Sequence, residues 1–463
     1  MSASFESTKT TSQQLHKLHH NYTQGVKMFS QKAKQDAKNI CKVAGGNFLE
    51  MYDFAVYGFY AAIIAKVFFP AESEFVSILQ SFVAFGLGFL MRPLGSILLG
   101  AYMDKHGRKQ GLMLTLSIMA AGTLIIALCP GYDTIGFFAP LIVVFGRLLQ
   151  GFSAGAEVGG ASVYLSEIAP KHLRGFYVSW QSGSQQIATI FAGAIGIALH
   201  YFIGDALVEA WGWRVPFIIG CLVIPFIIYI RRTLDETPEF KDKLHKHNAG
   251  KNIGAIVKNM LENYPIIILG IMFVMMTTVT FYFITSYTPT YVKNILNFTR
   301  LDGFIVTAIV GLSNLFWLPV SGFLGDKIGR KPILLTMTFL GMISAYPMLT
   351  FLVNNVSFTN LVLVELWFSF IFGAYNGAMI VSLSEIMPKQ VKALGFSFSY
   401  SLAVGIFGGF TPTMATILIE YTGSKASPAL WLSFAAVCSF ISALILFRKG
   451  GIYERNNPKN TNE

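Results

Sequence analysis

The sequence predicts an all-α membrane protein with twelve transmembrane helices in two six-helix halves. Three observations carry that expectation. First, only 13% of the 463 residues are charged, 53% are hydrophobic and the mean hydropathy is +0.55; a soluble globular chain carries about 25% charged residues. Second, apolar runs near the ~20 residues needed to cross a bilayer recur along the chain. Third, two loop sequences of the first half return in the second. Composition alone excludes a soluble enzyme, a disordered chain and a disulfide scaffold.

In chain order, residues 1–42 form a polar N-terminal tail with seven lysines. Leu15, Leu18, Tyr22, Val26 and Phe29 line one face of an amphipathic interfacial helix or belong to a solvated tail. His19-His20 alone makes a poor metal site. No secretory signal peptide is expected, because the polar stretch precedes the first apolar run. The N-terminal bundle covers 43–231, with spans at 43–69, 78–103, 111–129, 138–165, 176–203 and 213–231. A basic linker, 232–262, follows. The C-terminal bundle covers 263–448, with spans at 263–292, 302–324, 333–352, 357–387, 394–418 and 428–448. Residues 449–463 are a second tail. Cys41, Cys129, Cys221 and Cys438 stand singly without metal or redox spacing.

Charge placement orients the chain. Of 35 lysines and arginines, 28 fall in the two tails, the linker and the 2–3, 4–5, 8–9 and 10–11 loops, all on one side. Lys293, Arg300 and Lys425 lie on the other. The positive-inside rule makes the first side cytoplasmic, with both termini there, in the cell (inner) membrane. The net charge of +11 is therefore mostly topology. Nucleic-acid binding is excluded because the basic residues are spread over seven segments.

The halves repeat. Gly100-x-x-x-Asp104-Lys105-x-Gly107-Arg108-Lys109 matches Gly322-x-x-x-Asp326-Lys327-x-Gly329-Arg330-Lys331, and Leu165-Ser166-Glu167-Ile168-x-Pro170-Lys171 matches Leu383-Ser384-Glu385-Ile386-x-Pro388-Lys389. Each pair occupies equivalent places in its half, as expected of two bundles built around one midplane site.

These loops resemble the signature of the major facilitator superfamily. The run from Gly146-Arg147 to Ala156-Glu157 resembles its metabolite:proton symporter branch. More closely, the chain is similar to bacterial citrate–proton symporters and tricarballylate transporters. That likeness rests on Gly46-Asn47-Phe48-Leu49-Glu50, Phe68-Phe69-Pro70-Ala71-Glu72, Ser179-Trp180-Gln181-Ser182, Phe281-Tyr282-Phe283-Ile284-Thr285 and Tyr375-Asn376-Gly377-Ala378-Met379. The loops read Asp-Lys where the family often has Asp-Arg, and the N-terminal tail is longer than usual. The resemblance implies proton-coupled import of citrate or a close tricarboxylate by alternating access, with citrate, protons and the bilayer as partners and no cofactor, metal or obligate protein partner. The same fold carrying a dicarboxylate, an osmolyte such as betaine or proline, or a citrate-containing siderophore is the alternative. A membrane enzyme or receptor fits less well: only His200 of eight histidines falls in a span, and no signalling domain is present.

A citrate-like anion entering a negative-inside cell meets about 2.3 kcal/mol per charge per 100 mV, or about 7 kcal/mol for a trianion. Import therefore needs fixed cations for the carboxylates and buried acids that take up protons. Arg92, mid-span just before Pro93, and Arg147, opening a small-residue run, are the candidate cations. A structural ion pair with Glu50, Asp53 or Glu157 is the alternative for each. Lys66 and Arg214 lie near span ends and are expected to snorkel. Glu50, Asp53, Tyr57 and Tyr60 share one helical face. Glu50, Asp53 and Glu157 are the proton-coupling candidates; Glu365 in span ten is a weaker one, expected off the site. Gln181, Gln185, Thr278, Tyr282, Tyr375 and Asn376 are candidate substrate contacts, with Thr285 and Asn314 beside them, and interhelical hydrogen bonding is the alternative for each. Asp104, Gly107 and Arg108 with Asp326, Gly329 and Arg330 are expected to form a conformational latch.

Overall fold

The computed structural model describes residues 47–106, 108–155, 162, 165–166, 169–232, 262–388 and 392–456. The predicted N-terminal tail and most of the predicted linker lie outside them. The described residues are overwhelmingly helical, and twelve apolar helices account for the twelve predicted spans. They are α1 (Asn47–Phe59 with Ala61–Phe68), α2 (Glu74–Leu90 continued by Arg92–His106), α3 (Arg108–Leu128), α4 (Phe138–Ala154), α5 (Arg174–Leu207) and α6 (Arg214–Arg232). The second half has α7 (Tyr264–Ile295), α8 (Arg300–Ile328), α9 (Arg330–Asn354), α10 (Phe358–Ile386), α11 (Lys392–Thr422) and α12 (Pro428–Leu446). Eight have the length and apolarity to cross a membrane, nine counting the bent α1 pair; α3, α4 and α6 contribute shorter apolar stretches among the described residues.

Several spans are not the straight helices that hydropathy predicts. α1 bends by 66° at Tyr60. α7 carries two π turns, Phe283–Tyr287 and Tyr291–Ile295, around Pro289, and α11 carries one at Val404–Gly408. The expected fourth span, 138–165, is a continuous helix from Phe138 to Ala154, with Ser162 and Leu165 again helical and most of 156–164 outside the described residues. π turns inside α-helices loosen the hydrogen-bond ladder and concentrate at functional places.

The halves meet along two seams, α5 against α8 and α2 against α11. Bulky apolar side chains on the outer helix faces stay exposed, among them Leu128, Phe137, Phe202, Leu222 and Tyr421. A chain whose outer faces are apolar and whose polar groups point inward matches a hydrocarbon solvent. Within the first half, α2 and α4 approach so closely that a Cβ at Gly151 would overlap the Gly88 carbonyl, and one at Gly155 the Arg92 carbonyl. Glycine at these two positions lets the backbones touch. That contact brings the helices bearing Arg92 and Arg147 together against α1.

Candidate functional site

The i, i+3 spacing of Glu50 and Asp53 sends the two acids to two different arginines. Glu50 forms an ion pair with Arg92 of α2, and both side chains are 3% exposed. Asp53 lies 4.0 Å from Arg147 of α4, a guanidinium with no solvent exposure. Asp53 also accepts a hydrogen bond from the Thr123 hydroxyl (2.8 Å). Gln150 closes a ring, accepting from Arg147 (2.7 Å) and donating to Thr123 (3.2 Å). Aromatic rings complete the enclosure. The Arg147 guanidinium lies 4.4 Å from the Tyr57 ring centroid, 4.7 Å from Phe54 and 5.0 Å from Phe85. Phe54 and Phe89 face both arginines. Such rings stabilise a desolvated cation through their quadrupoles.

Between the halves lies a central cavity, lined by Glu50, Met51, Arg92 and Gln185 from the first half. The second half supplies Thr277, Thr278, Phe281 and Tyr282 from α7, Phe372 and Asn376 from α10, and Tyr400 and Val404 from α11. The side chains close tightly, leaving space for about one water molecule. This conformation is collapsed, and any organic solute requires it to open.

The structure thus brings Arg92, Gln185, Thr278, Tyr282, Asn376 and Glu50 together at one place. Arg147 and Asp53 sit behind the cavity wall. Gln181 accepts from Ser182 (3.0 Å) and does not line the cavity. The Tyr375 hydroxyl donates to the Phe273 carbonyl (2.7 Å) of α7, which makes it an interhelical tie. Asn314 donates to Gln186 (3.0 Å) across the halves and accepts from Ser369 (2.7 Å). Thr285 turns back onto the Phe281 carbonyl (2.6 Å). The predicted single face of α1 is divided: Tyr57 donates to the Ser81 carbonyl (3.3 Å), and Tyr60 lines a second, outer pocket with His200, Lys293 and Arg300. The side chain of Glu157 lies outside the described residues. Lys66 is exposed, as a span-end lysine should be, and Arg214 donates to the Cys129 carbonyl (3.2 Å) while stacking on Trp213. Met51, Thr277, Phe281, Phe372, Tyr400 and Val404 were missed from the sequence. Thr277 adjoins a chosen threonine, and Tyr400 sits in the run Ser397-Phe398-Ser399-Tyr400-Ser401, too polar for a lipid face.

Both ends of the cavity are shut by contacts between halves. At the basic-loop face, the Asp326 carboxylate caps the start of α5, accepting from the amides of Gly175 (2.9 Å) and Phe176 (3.2 Å), where a helix N-terminus favours negative charge. Arg330 reaches Asp326 (3.4 Å) and forms an ion pair with Glu385, which Arg174 of the first half also approaches (3.5 Å). Gly329 separates α8 from α9 at φ +85°, a conformation glycine tolerates. The side chains of Asp104 and Arg108, and residue Gly107, lie outside the described residues. At the opposite face, Arg300 of α8 pairs with Glu209 (2.8 Å), Asn294 donates to Glu74 (3.3 Å), and Phe304 packs against Phe59 and Tyr60.

Hydrogen bonds to a charged group contribute about 1.5–3 kcal/mol each. Asp326→Ala is therefore expected to open the basic-loop end. A cysteine placed at Thr277, in a chain stripped of its native cysteines, should be alkylated from that face about 10-fold faster or more. An unchanged rate would show that the Asp326 contacts do not hold the halves together.

Comparison with known proteins bears on the family. The family model described as Major Facilitator Superfamily matches residues 43–412. A citrate-proton symporter of Klebsiella pneumoniae is 53% identical over 413 residues, covering 89% of this chain and 92% of that protein. A citrate-proton symporter of Salmonella typhi is 52% identical over 408 residues, covering 88% and 93%. An alpha-ketoglutarate permease of Escherichia coli (strain K12) is 34% identical over 433 residues, covering 92% and 98%. Among solved structures, a D-xylose-proton symporter superimposes with a TM-score of 0.70 at 19% identity, covering 88% of this chain and 96% of that chain, a likeness of fold alone. With a family model across most of its length and relatives identical at more than half of the aligned positions, the chain belongs to the Major Facilitator Superfamily.

Proposed function

We propose that the chain is a proton-coupled secondary transporter that imports citrate or a closely related tricarboxylate such as tricarballylate by alternating access. One observation carries this reading: Arg92, a cation at mid-span, faces a cavity built by both halves and is held there by an acid. A guanidinium presents a planar fork that matches a carboxylate. In the closed state Glu50 occupies that fork. Protonation of Glu50 releases it, and a substrate carboxylate takes the vacated place. Proton and substrate are thereby coupled through one side chain. Gln185, Thr278, Tyr282 and Asn376 supply donors and acceptors around it. Arg147 and Asp53 form a second, more enclosed pair that supports this one and offers a second acid.

The resemblance in sequence favours a tricarboxylate. Identity is 53% to a protein named a citrate-proton symporter, but 31% to a proline/betaine transporter of Escherichia coli. The 28 basic residues of one face support a cytoplasmic placement of both termini and of the proposed Asp326 latch, in the cell membrane. The halves then exchange access by breaking the Asp326–Gly175 and Glu385–Arg174 contacts on one side or the Arg300–Glu209 contact on the other.

Competition binding in detergent tests the substrate. Citrate and tricarballylate should displace labelled citrate, whereas betaine and α-ketoglutarate should do so only at about 100-fold higher concentration or not at all. Betaine displacing as well as citrate would overturn the assignment.

A further inference from the structure

The buried acids are of two kinds. Glu50, Asp53, Asp326 and Glu385 each have an arginine within ion-pair range. Glu365 of α10, 3% exposed, has no cation partner among the described residues. Its Oε1 accepts from the Thr288 hydroxyl (3.0 Å), and its Oε2 has no hydrogen-bond partner. The phenol of Tyr291 lies within electrostatic range, in a cluster of Phe283, Tyr287, Tyr291 and Phe368. An ionised carboxylate is costly in such surroundings, and a neutral acid far less so.

Its position links it to the cavity. Phe372 and Asn376 lie two and three turns further along the same face of α10, and both line the cavity. Thr288 belongs to α7, which contributes Thr277, Thr278, Phe281 and Tyr282 to the same cavity. It also sits between the two π turns of α7, where the ladder is loosest. Glu365 is thus lodged between α10 and α7, two of the three cavity-lining helices of the C-terminal half, beside the break in α7.

We propose that Glu365 is a proton-carrying residue of the C-terminal half. The inference rests on the proton-coupled reading above. Its carboxylate accepts a proton from water when α7 opens the outer side, forming one O–H bond. It crosses as a neutral acid and returns the proton to water on the inner side. No oxidant, reductant or leaving group is involved. Full cancellation of a trianion's charge takes three protons. Among the described residues, α1 offers two acids beside the site, Glu50 and Asp53, and Glu365 is the third.

Glu365→Gln separates this role from a structural one, because glutamine is neutral and nearly isosteric with the protonated acid. Proteoliposomes give two readouts: exchange of labelled for unlabelled citrate with no gradient, and accumulation driven by an inward proton gradient. E365Q is expected to exchange within about twofold of the unsubstituted chain, while accumulation falls at least tenfold. Accumulation equal to the unsubstituted chain, with the same protons per citrate, overturns the proposal. So does loss of exchange and accumulation together in a protein with unchanged thermal unfolding, which would assign Glu365 to binding or packing. Glu365→Asp covers a glutamine variant that fails to fold. It keeps an acid and should accumulate citrate with a displaced pH profile; an unmoved profile overturns the proposal. An unsubstituted chain that exchanges no citrate overturns the substrate reading, and this inference with it.

Discussion

Arg92→Ala is expected to lower citrate affinity at least about 100-fold in a protein that still folds. The arginine lines the cavity with 3% of its surface exposed, so water does not replace it. Truncating one partner of a buried hydrogen-bonded charge pair costs about 2–5 kcal/mol, or roughly 30- to several-thousand-fold. Part of that loss comes from Glu50, left without its cation. Arg92→Ala combined with Glu50→Gln removes this contribution. The double variant should unfold near the temperature of the unsubstituted chain yet remain deficient in binding. Arg92→Lys should not restore affinity, because an ammonium is a point charge without the fork. Binding titrations with thermal unfolding on the same preparations check both halves of the expectation. Unchanged citrate affinity in Arg92→Ala would remove Arg92 from the site.

Arg147→Ala should act on stability instead. The guanidinium is fully buried, caged by Phe54, Tyr57 and Phe85, and is the counter-charge of Asp53. Removing it leaves a void among the rings and a buried acid with only Thr123 to satisfy it. Breaking a buried pair in this way costs about 3–5 kcal/mol. Per-residue unfolding entropies translate that into a fall of about 3–5 °C in melting temperature for a chain of this size. Asp53→Asn in the same chain removes the stranded charge and should recover more than half of the loss. Because Arg147 lies behind the cavity wall, the double variant should bind citrate within about tenfold of the unsubstituted chain. A large loss of affinity with no loss of stability would move Arg147 into the binding site.

The two predictions differ because of geometry that the sequence only partly discloses. The spans and their two halves are legible, since apolar runs and the duplicated Gly-x-x-x-Asp-Lys-x-Gly-Arg-Lys loops record topology directly. The acid–arginine pairs are half legible. Glu50 and Asp53 had to find cations, but which arginine each takes depends on α2 and α4 approaching α1 from different sides. The shared α1 face is divided for the same reason. Only Glu50 lines the cavity, Asp53 and Tyr57 both meet Arg147, and the helix bends at Tyr60 toward a second pocket. Tyr375 and Asn376 are adjacent in sequence yet about 100° apart around α10, so one ties α10 to α7 while the other reaches the cavity. Polarity marked both without choosing between them. The contribution of α11 was half hidden: the polar run around Tyr400 marked it, whereas Val404 is apolar and gives no signal that it faces a polar cavity. The breaks in α7 and α11 left only a partial trace, Pro289 in one and Gly405, Gly408 and Gly409 in the other, which marks a weak point without giving the π turns around it. Of the charged cluster proposed as a latch, Asp326 and Arg330 were legible in the repeated loop. Glu385 completes it; its repeated Leu-Ser-Glu-Ile motif served as a sign of duplication, and its place beside Arg330 emerges only when α10 packs against the end of α8.

The most direct test of proton-coupled tricarboxylate import is uptake of labelled citrate into proteoliposomes with an imposed pH gradient, acidic outside. The expected result is accumulation above the external concentration that collapses when a protonophore dissipates the gradient. Citrate uptake no greater than in empty vesicles, while another solute accumulates under the same gradient, would contradict it.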